Sequence, residues 1–444
     1  MSRAADLPWH NARMHNRRLR RSASILFALA AIASACGTST PTPTPTSQPS
    51  ATPTRSAAAS SAASPAASGS GDQGIYAQIE AQVEELRALT PKSAVNPVLL
   101  DEQGVRDWMT KANQTGVDHK AMAAQSRLFV HLGLLPAGAS LEQLMLDLNA
   151  GQAIGFYDTD TKQLYLLSQS GTVGPEEQLT FSHEFTHALQ DQNFGLDKLA
   201  IDTADQGDRD LARTALPEGD ATLAMTQWAT MHMSVLDLLS VSISAGSGPQ
   251  ADQLANAPAI LREDLMFPYE EGLTFVEGVY SQGGWDAVNR LYSKPPDSTS
   301  QILHPELYAT GVEPVSLTIQ GAPSSLGNGW TLAMQDTMGE LQLRVWLEGE
   351  HPTAAQKAAA DTAASKWAGD RIGLYEGPYG QWAVVLRTQW RSGAGRDAFA
   401  SAAARTLEGL KGSSTICGDA THADIVIASN DTSLGALETC NPMD

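Results

Sequence analysis

Five residues constrain this chain more than any other stretch: His183, Glu184, Phe185, Thr186 and His187, an instance of HExxH. On an α-helix, residues four apart lie one turn apart on the same face. The pattern sets two imidazoles side by side, close enough to share one zinc ion. Glu184 can then reach a water on that zinc as a general base. The expected chemistry is metal-assisted hydrolysis, first of all of peptide bonds. The competing explanation is two ordinary helix-surface histidines with a glutamate. For this His and Glu content a chance match arises on the order of once in a hundred such chains.

The surroundings supply the helix that the pattern needs. Gly174-Pro175-Glu176-Glu177 places proline at the first helical position and acidic residues in the first turn. The helix is predicted to run to about Asn193, with Gly195 beyond it. Leu179, Phe181, Phe185, Ala188 and Leu189 spread apolar surface over much of its circumference, which predicts a buried helix. Upstream, Ala153–Tyr157 and Gln163–Leu167 read as the strands of a β-hairpin. The connecting Asp158-Thr159-Asp160-Thr161-Lys162 lacks the Gly and distal Glu of a calcium loop, so it is read as a turn.

A catalytic zinc takes three protein ligands and leaves the fourth position for water. No third His follows closely, since position 193 is Asn193. Glu218, in Leu216-Pro217-Glu218-Gly219-Asp220-Ala221, is the leading third ligand. Pro217 marks an expected helix start with Glu218 in the first turn. Gly219 is expected to let that helix approach the HEFTH helix. Asp220 and Asp205 are the alternative ligands. An acidic residue favoured at a helix N-terminus would explain Glu218 without any metal. Ligating histidines usually donate their other N–H to a carboxylate or carbonyl. Asp191, one turn after His187, and Asp220 are the candidates for that support. His232, Tyr269, His304, Tyr308 and Arg371 are candidates for steadying an oxyanion.

With these residues in view, the chain resembles the gluzincins, the HExxH zinc metallopeptidases with a downstream Glu ligand. HEFTHALQDQ followed by PEGDA is similar to a branch of bacterial exported proteins. Pro296 to Pro305 and Trp367-Ala368-Gly369-Asp370-Arg371 resemble the same branch. The strong likeness covers roughly residues 150–225. It implies a zincin-like α+β fold, one Zn²⁺ per chain, a peptide or protein substrate, and a hairpin edge at 153–167 that pairs with extended substrate. The gap from His187 to Glu218 is longer than in thermolysin, and Thr222 stands where that protein's pattern has Asp.

The N-terminus reads as an export signal. Arg17, Arg18, Arg20 and Arg21 precede a short apolar run, Ile25–Ala35, well below the ~20 residues a bilayer span needs. Cys36 follows Ala33-Ser34-Ala35, which looks like a bacterial lipobox. The expectation is an extracytoplasmic, membrane-anchored lipoprotein, with ordinary secretion as the alternative. Cys417 and Cys440 then remain as an even pair, a possible disulfide in an oxidising compartment.

Residues 36–72, rich in Thr, Pro, Ser and Ala, lack the apolar side chains to offset ordering entropy and read as a disordered tether. Residues 73–326 are the expected zincin-like domain, mostly helical with a small sheet. Residues 327–444 are the expected C-terminal α+β portion. Within these, 207–243 read as helical, Pro295–Tyr308 as coil and Ala354–Trp367 as a helix. Formal charge is −20, and the first 35 residues carry six Arg against one Asp, so the rest is more acidic still. That excess disfavours nucleic acid as a partner. The alternative function is a non-catalytic zincin-fold lipoprotein used for surface binding or scaffolding.

Overall fold

The computed structural model describes residues 70–437, apart from 102, 109–110, 112–117, 153–154, 168–172 and 202. The expected signal segment, most of the expected tether, Cys36, Cys440 and the expected Ala153–Ile154 start of the hairpin lie outside the described residues.

The architecture is α+β. Helix α1 (Ser70–Arg87) leads to β1 (Val98–Leu100), α2 (His119–His131) and α3 (Leu141–Gln152). Strands β2 (Gly155–Asp158) and β3 (Gln163–Leu167) form the hairpin, and β1 joins β3 in parallel, giving the order β1-β3-β2. The Asp158 carboxylate accepts from the Asp160 and Thr161 amides at 2.8 and 3.2 Å, so it serves the turn.

Six helices and a seventh short one follow: α4 (Pro175–Phe194), α5 (Gly207–His232), α6 (Val235–Ala245), α7 (Pro249–Ala255), α8 (Ala259–Leu291), α9 (Thr299–Leu303) and α10 (Pro305–Ala309). Helix α11 (Ala322–Leu326) precedes the second sheet, whose elements are β4 (Thr331–Asp336), α12 (Gly339–Glu348), α13 (Ala354–Ala364), β5 (Trp367–Glu376), β6 (Trp382–Trp390), α14 (Gly393–Leu407), β7 (Ser413–Gly418), β8 (His422–Ala428) and α15 (Asp431–Leu437). Its strand order is β4-β5-β6-β8-β7, antiparallel throughout.

Helix α4 is held by its sequence at both ends. The Glu177 carboxylate accepts from the Gly174 amide at 3.0 Å, and Pro175 occupies the first turn. Gly195, at φ 75°, donates its amide to the Asp191 carbonyl at 2.8 Å and ends the helix. Every residue from Leu179 to Asp191 is buried. On one side, Tyr76 of α1 packs against Phe181 with ring centroids 4.6 Å apart. On another, β2 sits close because Gly155 has no Cβ; one there would meet Thr180 Cγ2 at 2.7 Å.

The stretch 207–243 is helical as expected, in two helices that break at Met233-Ser234, where Ser234 caps α6. Several expectations are corrected. Pro217 does not start a helix; it lies inside α5, ten residues from Gly207. Proline there removes one backbone donor, a cost of about 3 kcal/mol. Burial of Leu216, Ala221 and Met225, all at 0% exposure, offsets it. Gly219 faces α8, not α4: a Cβ there would meet the Gly272 carbonyl at 2.2 Å. The Pro295–Tyr308 coil contains α9 and α10. Trp367 opens β5 instead of closing a helix. This strand lies between β4 and β6 and is buried on both faces, so it shows no apolar–polar alternation. One core cluster joins residues on either side of 327, Leu216 and Phe275 with Trp346, Ile372 and Trp390.

Helix α6 carries a run of exposed apolar side chains. Val235, Leu236, Leu239 and Ile243 are 55–80% exposed on it.

Candidate metal centre

Helix α4 carries His183, Glu184 and His187; α5, packed beside it, carries Glu218. The structure brings the first and last of these together with His187 as sequence spacing requires. His183 Nε2 and His187 Nε2 are 3.0 Å apart, and Glu218 Oε2 lies 3.3 Å from each. All three side chains are at most 2% exposed. Four donors placed tetrahedrally about zinc at its usual bond lengths sit about 3.3 Å from one another. Two imidazoles and a carboxylate are also the right chemical set. The residues present therefore fit a zinc ion.

Hydrogen bonding fixes the state of one ring. Gln190 donates its amide N–H to the Pro217 carbonyl at 3.0 Å, an acceptor only. Its Oε1 must then face His187 Nδ1, 2.9 Å away, so Nδ1 carries the proton. The lone pair of His187 Nε2 is left for the cluster centre. His183 Nδ1 has no hydrogen-bond partner among the described residues.

The electrostatics ask for a cation. Burial lowers the His183 pKa, with His187 adding to the effect against Glu218. Burial also opposes charge on His187, but the Glu218 carboxylate and then Glu184 overcome it and raise the pKa to about 9. Burial works against the Glu218 carboxylate too, yet the two histidines hold its pKa well below the usual range. The Glu218 carboxylate set between two imidazoles thus favours a positive charge at the centre, which a metal ion would supply.

Glu184 stands beside this triangle in a different condition. It is 0% exposed, and neither carboxylate oxygen has a hydrogen-bond partner of good geometry. Burial raises its pKa to about 8, while the Tyr157 backbone N–H on β2 lowers it slightly. Such a group is positioned to take and return a proton near neutral pH.

The supporting residues differ from those expected. Asp191 does not touch His187. It accepts from the Tyr157 hydroxyl at 3.0 Å and the Leu196 amide at 3.1 Å, and pairs with Lys162 at 2.6 Å. Gln190 supports His187 instead; its i, i+3 spacing in HEFTHALQ was the signal that could have found it. Asp220 is likewise engaged elsewhere, accepting from Arg87 Nε and Nη2 at 2.7 and 2.9 Å and from the Tyr292 hydroxyl at 2.7 Å. Arg87 is itself 0% exposed and stacks 4.3 Å over Trp285. This buried pair ties α1 to α5 two residues from Glu218.

Asp205 pairs with Arg371 at 3.2 Å and accepts from Gln335 at 2.9 Å, away from the histidines. Of the five aromatic or basic candidates, only Tyr269 of α8 reaches the cluster. Its ring is 6.2 Å from His183, and its hydroxyl hydrogen-bonds Glu218. His304 pairs with Glu340, Tyr308 donates to the Lys294 carbonyl, and His232 packs near Trp228. Cys417 lies on β7 opposite Asp424.

Residues 331–435 match a domain of unknown function, DUF8575. That span runs from the first residue of β4 into α15 and contains none of the four centre residues. No curated protein and no solved structure matches the chain.

Proposed function

We propose that the protein is a zinc-dependent metallopeptidase of the gluzincin type, exported and anchored by lipid at Cys36. One observation carries the catalytic reading: three donors converge with zinc-like spacing while Glu184, beside them, is buried with no well-aligned hydrogen-bond partner on either carboxylate oxygen. Export and anchoring rest on the sequence. His183, His187 and Glu218 would hold one Zn²⁺ per chain. When bound, zinc supplies Lewis acidity that polarises a peptide carbonyl and acidifies a water. Glu184 takes one proton from the attacking water and delivers it to the leaving amine nitrogen as the C–N bond breaks. Gln190 keeps His187 in its Nδ1–H form. The substrate is a peptide or protein; the net charge of −20 disfavours nucleic acid as a partner.

A second reading has an observation of its own. His183 and Glu184 are 0% exposed, His187 and Glu218 2%, and Tyr269 5%. A centre sealed in this way suits a non-catalytic surface or scaffolding lipoprotein whose metal is structural. For the peptidase, the cover over the centre must open to admit substrate.

Metal analysis and turnover separate the two. The peptidase reading expects about one zinc per chain, lost in His183→Ala. It expects Glu184→Gln to retain zinc while hydrolysis falls by about 10²–10⁴-fold. Protein purified metal-free without chelator would sink both. Zinc present, with no cleavage across a broad peptide library, would leave the second.

A further inference from the structure

Beyond the metal centre, the described residues line an open surface cleft of about 310 Å³ at the C-terminal end of α4. Lys92, Lys162, Lys198, Tyr157, Asp191 and Asp197 are among its walls. The chain carries −20 net charge and nine lysines, yet three of those lysines line this one cleft. Lys162 and Asp191 neutralise each other at 2.6 Å, and Asp191 also serves the Tyr157 hydroxyl and the Leu196 amide. Neither Lys92 nor Lys198 makes an ion pair among the described residues. Against them stands only Asp197, so the cleft holds a surplus of positive charge.

Two backbone features keep it open and keep it basic. Gly195, at φ 75°, leaves space where a Cβ would lie 3.1 Å from both Lys198 Nζ and Asp197 Oδ1. Lys162 holds φ 58°, a left-handed conformation that favours glycine or asparagine.

The cleft is joined to the centre through Tyr157 and Asp191. The Tyr157 backbone N–H faces Glu184 from the edge of β2, and its hydroxyl reaches Asp191, one turn beyond His187. Strand β2 runs along α4 from Thr180 towards this end. Once the cover over the centre opens, an extended peptide running past Glu184 beside β2 would lead towards the lysines.

We propose that this cleft is a subsite for a carboxylate of the substrate, either an acidic side chain or a free C-terminus. The assignment rests on the peptidase reading, so its test is one of binding alone. The full chain carrying Glu184→Gln is titrated by fluorescence anisotropy with four labelled heptapeptides. One is neutral and amidated; one is neutral with a free C-terminus; one is amidated with two glutamates; one is amidated with two lysines. A carboxylate-bearing probe is expected to bind about five- to tenfold tighter than the neutral amidated one, the size of one well-placed charge contact. Which of the two carboxylate probes gains identifies the source. The gain is expected to vanish in Lys92→Ala/Lys198→Ala, both exposed positions, and to persist in Lys120→Ala/Lys357→Ala. Equal affinity for all four probes, or an undiminished gain in Lys92→Ala/Lys198→Ala, overturns the subsite while leaving Glu184-dependent hydrolysis standing. Carboxylate preference in a protein that cleaves nothing instead removes the peptidase reading and leaves an anion-binding cleft.

Discussion

The His183–Glu218 cluster and the Asp208–Asp370 cluster are both buried and both rich in lone pairs, yet they dispose of them in opposite ways. Asp370, on β5, accepts from the Met338 and Gly339 amides at 2.9 and 2.8 Å and from Trp367 Nε1 at 2.9 Å. Asp208, on α5, accepts from the Thr299 amide and hydroxyl at 3.1 and 2.5 Å. Each carboxylate there is answered by fixed N–H or O–H donors, and the result joins α5 and α9 to the C-terminal sheet. Even the fit of Gly339 depends on it, since a Cβ at that position would overlap Asp208 Oδ1 at 1.7 Å. Around His183 the acceptors instead face one another, and Glu184 meets only the Tyr157 backbone N–H, poorly aligned. A buried polar group without a partner costs about 1–3 kcal/mol. A fold that keeps several together leaves room for something that arrives later, such as a cation or a substrate. Burial alone does not separate a structural cluster from a functional one; the direction of the lone pairs does.

The largest effect that can break this comparison lies in the satisfied cluster. Asp370→Ala leaves three buried donors without an acceptor, a loss on the order of 3–5 kcal/mol. Thermal or denaturant unfolding is expected to show that loss, while zinc bound per folded chain stays unchanged. His183→Ala should do the reverse, removing zinc with a smaller loss of apo-protein stability. If Asp370→Ala lowered zinc content as much as His183→Ala, the two clusters would be one functional unit.

A smaller effect sharpens the boundary of the centre itself. Gln190 fixes the His187 ring, and Asp191 does not touch it. Gln190→Ala is expected to weaken zinc binding about 10–100-fold, the range for a lost supporting contact. Asp191→Ala should change it by no more than about threefold, despite lying next in the chain. Competition with a fluorescent chelator measures both. A larger effect at Asp191 would return it to the supporting role expected from sequence.

This pair also shows how far sequence reading reached. HExxH spacing, proline at the helix start and glycine at its end are local rules, and α4 obeys all three. The hairpin and the α+β class followed from similar local patterns. Glu218 is legible from its residue type and place in the chain, whereas Pro217 is not a helix start. Helix α5 runs through the proline because packing against α4 and α8 outweighs one missing hydrogen bond, and no local pattern reports that balance. Strand β5 was overlooked because burial on both faces removes the alternation that marks a strand. Arg87 lies 133 residues from Asp220, so nothing local links them. What was missed is what depends on partners distant in the chain.

The smallest test concerns how the satisfied cluster answers pH. Burial raises the Asp208 pKa to about 8 and the Asp370 pKa to about 6, the Thr299, Met338 and Gly339 donors only partly opposing it. In the unfolded chain both titrate near ~3.9. Between those values the folded state holds protons that the unfolded state has lost. Their contribution is therefore fully present below about pH 4 and is lost as pH rises through about 6 for Asp370 and 8 for Asp208. Asp208→Asn keeps an acceptor for Thr299 but has no proton to lose. Its stability between pH 5 and 8 should fall less steeply than wild type, by up to about 1.4 kcal/mol per pH unit for the one proton removed. Denaturant unfolding at several pH values reads the slope difference directly. Parallel curves would mean that Asp208 is ionised in the fold, and that its donors answer a full charge.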